Sequence, residues 1–219
     1  MKREPDGHRF TFHVSRLTSR LRLTLGPALL LLLVVSLPAR AQETGTPVFH
    51  SPYRSFHRYE FGATASFLRA SQTGIEGHYR RGVGSVDVAG RAGVLIRDDV
   101  QDSFLFGLQA RVPFLFEERS PLRGALVAGA GLDVSGEASL WVPVGLSLGR
   151  RLIVEKSAVR LVPYVQPTVY FTSVGSGVEA ALGLGLDLRL STGFEVRASG
   201  EFGTAGAPDG VGVSAVWLR

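Results

Sequence analysis

The sequence contains no cysteine among its 219 residues. Without cysteine the chain can form neither a disulfide framework nor a thiolate metal site, and it has no thiol nucleophile. Lysine is also scarce, because Lys156 is the only one after residue 41. Beyond that point no run of apolar residues approaches the length of about 18 that a helical membrane span requires. The sequence therefore excludes a helical membrane protein.

The net positive charge comes from the N-terminal part of the chain. The formal charge of the whole sequence is +5, but basic and acidic residues after residue 41 balance at 17 each. A balanced chain lacks the basic surface that nucleic-acid binding requires, so we expect no nucleic-acid partner. The 45% share of apolar residues also excludes wholesale disorder.

The first 41 residues have the parts of a bacterial export signal. A basic region precedes an apolar core from Leu25 to Leu37, and Pro38-Ala39-Arg40-Ala41 ends in the small-x-small pattern that signal peptidase accepts. That core would rise about 20 Å as a helix, which is short of the roughly 30 Å of a hydrocarbon core. We predict a cleaved signal peptide over 1–41, a flexible lead-in over 42–55 and a folded domain over 56–219.

From residue 59 onward, apolar and polar residues alternate, as is typical of β-strands with two unlike faces. The longest example is apolar at every second position from Val178 to Leu190. The connections between segments are too short for crossover helices, so neighbouring strands must pair antiparallel. Nine such segments occur, at 59–67, 86–97, 104–116, 126–133, 140–149, 161–171, 178–190, 194–202 and 211–217.

Two architectures fit this alternation: a soluble sandwich or barrel with the apolar face inside, and a membrane barrel with that face outside. Most segments have the length of about nine to eleven residues that a tilted membrane strand needs. Phenylalanines bracket both ends of segment 104–116, about 25 Å apart along the membrane normal, which matches the separation of aromatic girdles. These features favour the membrane barrel.

The predicted fold is therefore all-β, an up-and-down antiparallel transmembrane β-barrel of eight to ten strands. Bacterial single-chain barrels close with an even number of strands. Nine segments thus leave two possibilities. Either one segment pairs outside the barrel, or a tenth strand lies within 70–82 or 150–157.

Besides the signal peptide and the alternation, the sequence has a Pro163-Tyr164-Val165-Gln166-Pro167 strand opening and a last strand at Val211–Trp217. With these features the chain resembles the small outer-membrane β-barrel proteins of diderm bacteria, the porin-like and outer-membrane-protein-A-like barrels. The resemblance implies an outer-membrane location, contact with outer-membrane lipid and lipopolysaccharide, and recognition of the last strand by the outer-membrane assembly machinery. One departure is that Leu218 and Arg219 follow Trp217, whereas the family usually ends on an aromatic residue.

Charged and aromatic residues mark the two predicted faces. A narrow barrel has room only for side chains, and buried charges are retained when paired. We therefore expect a balanced ion-pair network, with the selectivity lining of a pore as the alternative. The predicted lumen charges are Asp87, Arg91, Arg97, Arg111, Asp133, Glu179, Asp187, Arg189, Glu195, Arg197 and Glu201. The predicted aromatic girdle is Tyr59, Phe67, Phe104, Phe106, Phe114, Phe116, Phe171 and Trp217. Trp141, Tyr164 and Tyr170 fall on the lumen face, where we expect them to fill space.

The sequence contains neither the G-x-S-x-G nor the H-E-x-x-H motif. We predict no catalytic residue, no metal and no cofactor, and a non-enzymatic structural or surface-interaction role in the envelope with a largely filled lumen. A narrow diffusion pore for small solutes is one alternative. The other is a rim-located lipid hydrolase or acyltransferase, with His57 or His78 and Ser71 or Ser85 as candidates.

Two kinds of charged cluster suggest further ligands. Asp98, Asp99 and Asp102 could supply oxygen ligands to a divalent cation. Arg80-Arg81 and Arg150-Arg151 would suit lipid phosphates at a membrane surface.

Overall fold

The structure is a computed structural model that describes residues 44–53, 59–69, 71–98, 101–153, 159–173, 177–203 and 210–219, without the side chain of Glu137. The predicted signal peptide lies outside the described residues, and so do His57 and Asp99. Within the described ranges, no helix is long and apolar enough to cross a membrane.

Ten long antiparallel strands form one closed sheet. Each pairs with its neighbours in chain order, the sixth and seventh long strands pair across a two-residue strand, and the first pairs with the last to close the barrel. The predicted all-β, up-and-down barrel is thus confirmed, with ten strands. The strands are β1 Tyr59–Leu68, β2 Gln72–Val83, β3 Val86–Arg97, β4 Ser103–Leu115, β5 Arg123–Ser135, β6 Glu137–Gly149, β7 Leu152–Ile153, β8 Arg160–Thr172, β9 Val178–Arg189, β10 Phe194–Gly203 and β11 Gly210–Leu218.

The tenth strand is β2, in one of the two places that the sequence left open. Its outer face is interrupted by Gly77 and Arg81, so the apolar alternation that reveals the other strands is weak here. His78, named above as a candidate hydrolase residue, is buried on the inner face of this strand. β2 is held in place by pairing with β1 and β3 along its whole length.

Because the number of long strands is even, the barrel begins and ends at the same mouth. The terminal mouth is the end where β1 begins and β11 ends, and the connections after β2, β4, β6 and β9 lie there too. The distal mouth is the opposite end, with the connections after β1, β3, β5, β8 and β10. Tight turns at Gly84 and Gly136 take φ of 59° and 88°, left-handed values that favour glycine.

Large apolar side chains cover the outer surface of the barrel. All eight predicted girdle residues face outward, with exposed fractions between 44% and 60%. They form two belts, with Tyr59, Phe114, Phe116 and Trp217 toward the terminal mouth and Phe67, Phe104, Phe106 and Phe171 toward the distal mouth. An apolar surface of this extent is unfavourable in water and suits hydrocarbon between two interfaces. The side-chain distribution is that of a membrane barrel.

A charge on this outer surface should destabilise the barrel in lipid. Leu108 lies near the middle of β4 and is 64% exposed. We expect Leu108→Arg to lower the free energy of unfolding by about 2–4 kcal/mol, the cost of a cation near the bilayer midplane. Urea unfolding in lipid vesicles measures it.

The control is Glu118→Arg in the exposed connection after β4, which should change stability by no more than about 0.5 kcal/mol. Equal effects at the two positions would contradict the lipid-facing assignment.

Candidate functional site in the barrel lumen

Residues 44–53 lie inside the barrel and are called the lumen segment below. The sequence predicts a flexible lead-in over 42–55, whereas residues 44–53 are buried in the structure. It contains Pro47 and Pro52 and no alternation of its own, so its burial comes from partners that the barrel wall supplies. Seven of its residues have exposed fractions of 6% or less: Thr44, Thr46, Val48, Phe49, His50, Ser51 and Tyr53.

The lumen segment runs from the distal to the terminal mouth. Near the distal mouth, Pro47 packs against Gly210 at the start of β11. Near the terminal mouth, the hydroxyl of Tyr53 donates a hydrogen bond to Glu117 in the connection after β4. Residue 44 lies in a turn and residues 45, 46, 52 and 53 in bends, so the contacts of Pro47 and Tyr53 define how far the segment reaches. The segment thus occupies the lumen from one end to the other.

The barrel wall binds the backbone of the lumen segment. Arginine, tyrosine and serine side chains from six strands donate hydrogen bonds to its carbonyl oxygens. The pairs are Ser199 to Pro47, Arg91 to Val48 (3.2 Å), Tyr164 to Phe49 (3.0 Å), Arg111 and Ser147 (3.1 Å) to His50, and Arg80 to Tyr53 (3.0 Å). The carbonyls of four consecutive residues, 47–50, are therefore each bound by the wall.

Glycines on the inner face of β9 make room for two aromatic rings. A Cβ placed on Gly183 would lie 2.6 Å from the ring of Phe49, and one on Gly185 would lie 2.1 Å from the ring of Tyr164. Both distances are too short for any side chain, so these positions admit glycine only. Tyr164, Tyr170 and Trp141 are all buried on the inner face, at 8% exposed or less.

The largest ion-pair network crosses five strands in the terminal half of the lumen. Arg197 contacts Glu60 in a bidentate pair, at 2.8 and 3.1 Å, and also reaches Glu195 and Asp187. Arg80 joins Glu60 (3.5 Å) to Asp87 (2.9 Å), and Arg189 extends the network to the mouth through Glu195 (3.3 Å).

Separate pairs occupy the rest of the lumen. Arg91 binds Glu76 at 2.8 Å, and the hydroxyl of Thr46 in the lumen segment contacts both of them. Toward the distal mouth, Arg97 pairs with Asp133 at 2.8 Å. Charges taken from water cost several kcal/mol each unless they are paired and hydrogen-bonded, so these contacts and the lumen segment together make the interior stable.

All eleven predicted lumen charges lie on the inner face, buried or half-buried. Three further members of the same clusters were absent from the prediction: Glu60, Glu76 and Arg80. Glu60 lies on the polar face of β1, where the alternation could have identified it. Glu76 and Arg80 lie in β2, the strand whose pattern is weak.

Tyr53 closes the lumen at the terminal mouth. The Tyr53 side chain is buried there, and its hydroxyl donates a hydrogen bond to Glu117. The Arg151 backbone N–H donates to the same hydroxyl at 2.6 Å, and the Arg151 guanidinium lies 4.3 Å from the ring centroid. The Arg123 guanidinium lies 5.4 Å from that centroid.

The candidate hydrolase residues do not assemble among the described residues. The His78 ring is buried and lies 5.5 Å from the ring of His50. Ser71 and Ser85 flank opposite ends of β2, each about 20 Å from His78 along the extended chain. His57 lies outside the described residues.

The remaining charged clusters lie in different environments. Arg80 is buried in the ion-pair network instead of facing lipid headgroups, whereas Arg81 is exposed, 5.6 Å from the Tyr59 ring centroid. Asp102 accepts a hydrogen bond from the backbone N–H of Arg97. In the described part of the chain, no group of three or more histidine or carboxylate side chains is placed to hold a metal ion.

No protein-family model matches the chain, and no protein of curated function matches it in sequence. Solved structures of barrels do match. The N-terminal β-barrel domain of Pseudomonas aeruginosa OprF is 18% identical, with 74% of this chain and 98% of that chain covered and a TM-score of 0.37. The β domain of the Bordetella autotransporter BrkA is 14% identical, with 74% and 98% covered and a TM-score of 0.44.

A de novo designed transmembrane β-barrel is 12% identical, with 74% of this chain and 96% of that chain covered and a TM-score of 0.40. The chain is a closed, up-and-down β-barrel with the apolar exterior of a transmembrane barrel. The closed ten-strand sheet and its outward apolar surface carry that conclusion.

Removing the central cation of the lumen should destabilise the barrel strongly. Arg197→Met leaves the buried carboxylates of Glu60, Glu195 and Asp187 without their shared partner. We expect the free energy of unfolding to fall by about 3–5 kcal/mol, as when one member of a buried ion pair is removed. Urea unfolding in lipid vesicles measures the loss.

The double variant Glu60→Gln/Arg197→Met should recover part of this loss, because one of the unpaired charges is then neutral. Arg150→Met, at an exposed position after β6, serves as control and should cost no more than about 0.5 kcal/mol. A loss at Arg197 as small as at Arg150 would contradict a buried network.

Proposed function

We propose that the protein is a non-enzymatic barrel of the outer membrane of a diderm bacterium, closed to solute diffusion by its own lumen segment. Its role would be structural or surface-interacting in the cell envelope. One observation carries this proposal: residues 44–53 occupy the lumen from mouth to mouth and are buried there. The paired charges around the segment favour a filled interior over the selectivity lining of a pore.

We propose the following route to the membrane. Residues 1–41 would act as an export signal that is cleaved after Ala41. The exterior of the barrel would then contact outer-membrane lipid and lipopolysaccharide, and the outer-membrane assembly machinery would recognise β11. At the seam with β1, Trp217 of β11 stacks on Phe61 with ring centroids 5.9 Å apart, which places an aromatic anchor near the end of the last strand.

Conductance measurements test the closed lumen. The full chain, reconstituted in a planar lipid bilayer, should show no stable conductance steps at moderate voltage, because the lumen segment leaves no continuous aqueous path. A gel of boiled and unboiled samples confirms that the reconstituted barrel is folded. Stable steps from the folded full chain would contradict the proposal and favour the diffusion pore. Release of fatty acid from lipopolysaccharide would instead favour a rim hydrolase.

The path of the lumen segment predicts on which side of the membrane the processed N-terminus lies. Because the chain lacks cysteine, a single introduced cysteine can be labelled without background. We expect Glu43→Cys, one residue before the segment, to react with a membrane-impermeant maleimide on intact cells as Gln101→Cys does. Gln101 lies in the distal connection after β3.

The opposite reference is Glu118→Cys in the connection after β4, at the terminal mouth. Glu118→Cys should not react with the maleimide on intact cells, unlike Gln101→Cys. Labelling of Glu43→Cys together with Glu118→Cys would show that the segment does not pass through the lumen.

A further inference from the structure

The lumen wall recognises features that any extended polypeptide has. Carbonyl oxygens of residues 47–50 and 53 accept hydrogen bonds from the wall. The side chains of Thr46, His50, Ser51 and Tyr53 make further polar contacts with it. Backbone carbonyls are present whatever the sequence, and hydrogen bonds to charged donors are among the stronger ones in proteins. The wall thus offers hydrogen-bond donors to the backbone of a bound chain, in addition to its contacts with particular side chains.

Arg111 is the clearest example of a wall residue that binds the backbone of the segment. Its guanidinium is 2% exposed on β4, and among the described residues no carboxylate lies within ion-pair distance of it. Its hydrogen-bond partner in the described chain is the carbonyl of His50. An arginine buried in this way depends on the segment, because without it the charge would lose its acceptor.

One side chain of the lumen segment has a shaped subsite. The ring of Phe49 lies against Gly183, where the absence of a Cβ gives it room, and it is 1% exposed. Burying a phenylalanine contributes about as much affinity as one good charged hydrogen bond. The subsite therefore adds a preference for an aromatic residue at this position.

We infer that the barrel lumen is a binding site for an extended polypeptide, recognised through its backbone carbonyls and one aromatic side chain, and that residues 44–53 are its tethered occupant. This inference rests on the proposed closed barrel and deepens it. A peptide with the sequence of the segment should occupy the site without a covalent link, provided that the native segment can leave.

The test uses the full chain with a protease recognition site inserted between residues 53 and 59. The protein is folded in lipid, cut, and then incubated with a fluorescent peptide of residues 42–53. We expect the cut segment to leave slowly and the labelled peptide to replace it saturably, with no uptake by the uncut chain. Release of the native segment without any uptake of the peptide would overturn the inference.

Wall variants make the test specific. Arg111→Met should weaken peptide binding, or speed release of the cut segment, by about tenfold or more, since a hydrogen bond to a charged group is lost. Arg81→Met, the same change on the exposed outer face of β2, should leave both rates unchanged. If the segment stays bound after cutting and Arg111→Met does not speed its release, the assigned recognition is wrong.

Peptide variants separate backbone from side-chain recognition. A peptide with Thr44→Ala and Val48→Ala should bind less than about tenfold more weakly than the parent, because the wall-bound carbonyls remain and Ala removes only a small apolar area. Phe49→Ala should weaken binding about tenfold or more, through loss of the aromatic contact at Gly183. The opposite order would contradict recognition through the backbone. Conductance of the uncut chain is measured in parallel: steps there would refute the closed barrel itself, whereas failure of exchange in a closed barrel refutes only this inference.

Discussion

The need to pair every backbone polar group where no water is available governs this structure. In hydrocarbon only a closed sheet satisfies all strand N–H and C=O groups without leaving an edge. Closure through β1 and β11 meets that requirement, and ten strands then set the width of the interior. About eight strands leave a lumen that side chains alone can fill. A ten-strand lumen is wider, and the lumen segment takes up the additional space.

Filling the lumen with polypeptide removes the buried arginines from water, and two kinds of partner compensate their charge. In the terminal half, carboxylates neutralise the arginines directly, as in the bidentate contact of Arg197 with Glu60. Elsewhere the segment's own carbonyl dipoles take the place of carboxylates, as at Arg111. Because burial makes an unpaired cation very costly, the occupant and the wall stabilise each other. The segment is therefore part of the folded interior, and it also fills the lumen.

The inner and outer surfaces of the barrel wall differ in where glycines and aromatic residues lie. Inside the barrel, Gly183 and Gly185 of β9 have no side chain. The rings of Phe49 in the lumen segment and Tyr164 in β8 fill the space that this leaves. Outside, aromatic rings gather toward both mouths, where amphipathic rings suit the boundary between hydrocarbon and water. Because residue type alternates along each strand, one face of the strand suits the polar interior and the other suits lipid.

The local pattern of the sequence determined much of this protein. A period of two decides which side chains share a face, so the lumen charges and the outward aromatics could be read without coordinates. Where the period weakens, as at Gly77 and Arg81 in β2, the pattern no longer reveals a strand, and Glu76 and Arg80 were missed with it. Only the tertiary structure decided the contacts between elements that no period connects. Glu60 meets Arg197 across 137 positions of sequence, and Phe49 meets Tyr164 across 115. The lumen segment has no period at all: it is ordered by donors on distant strands, which come together only once the barrel has closed.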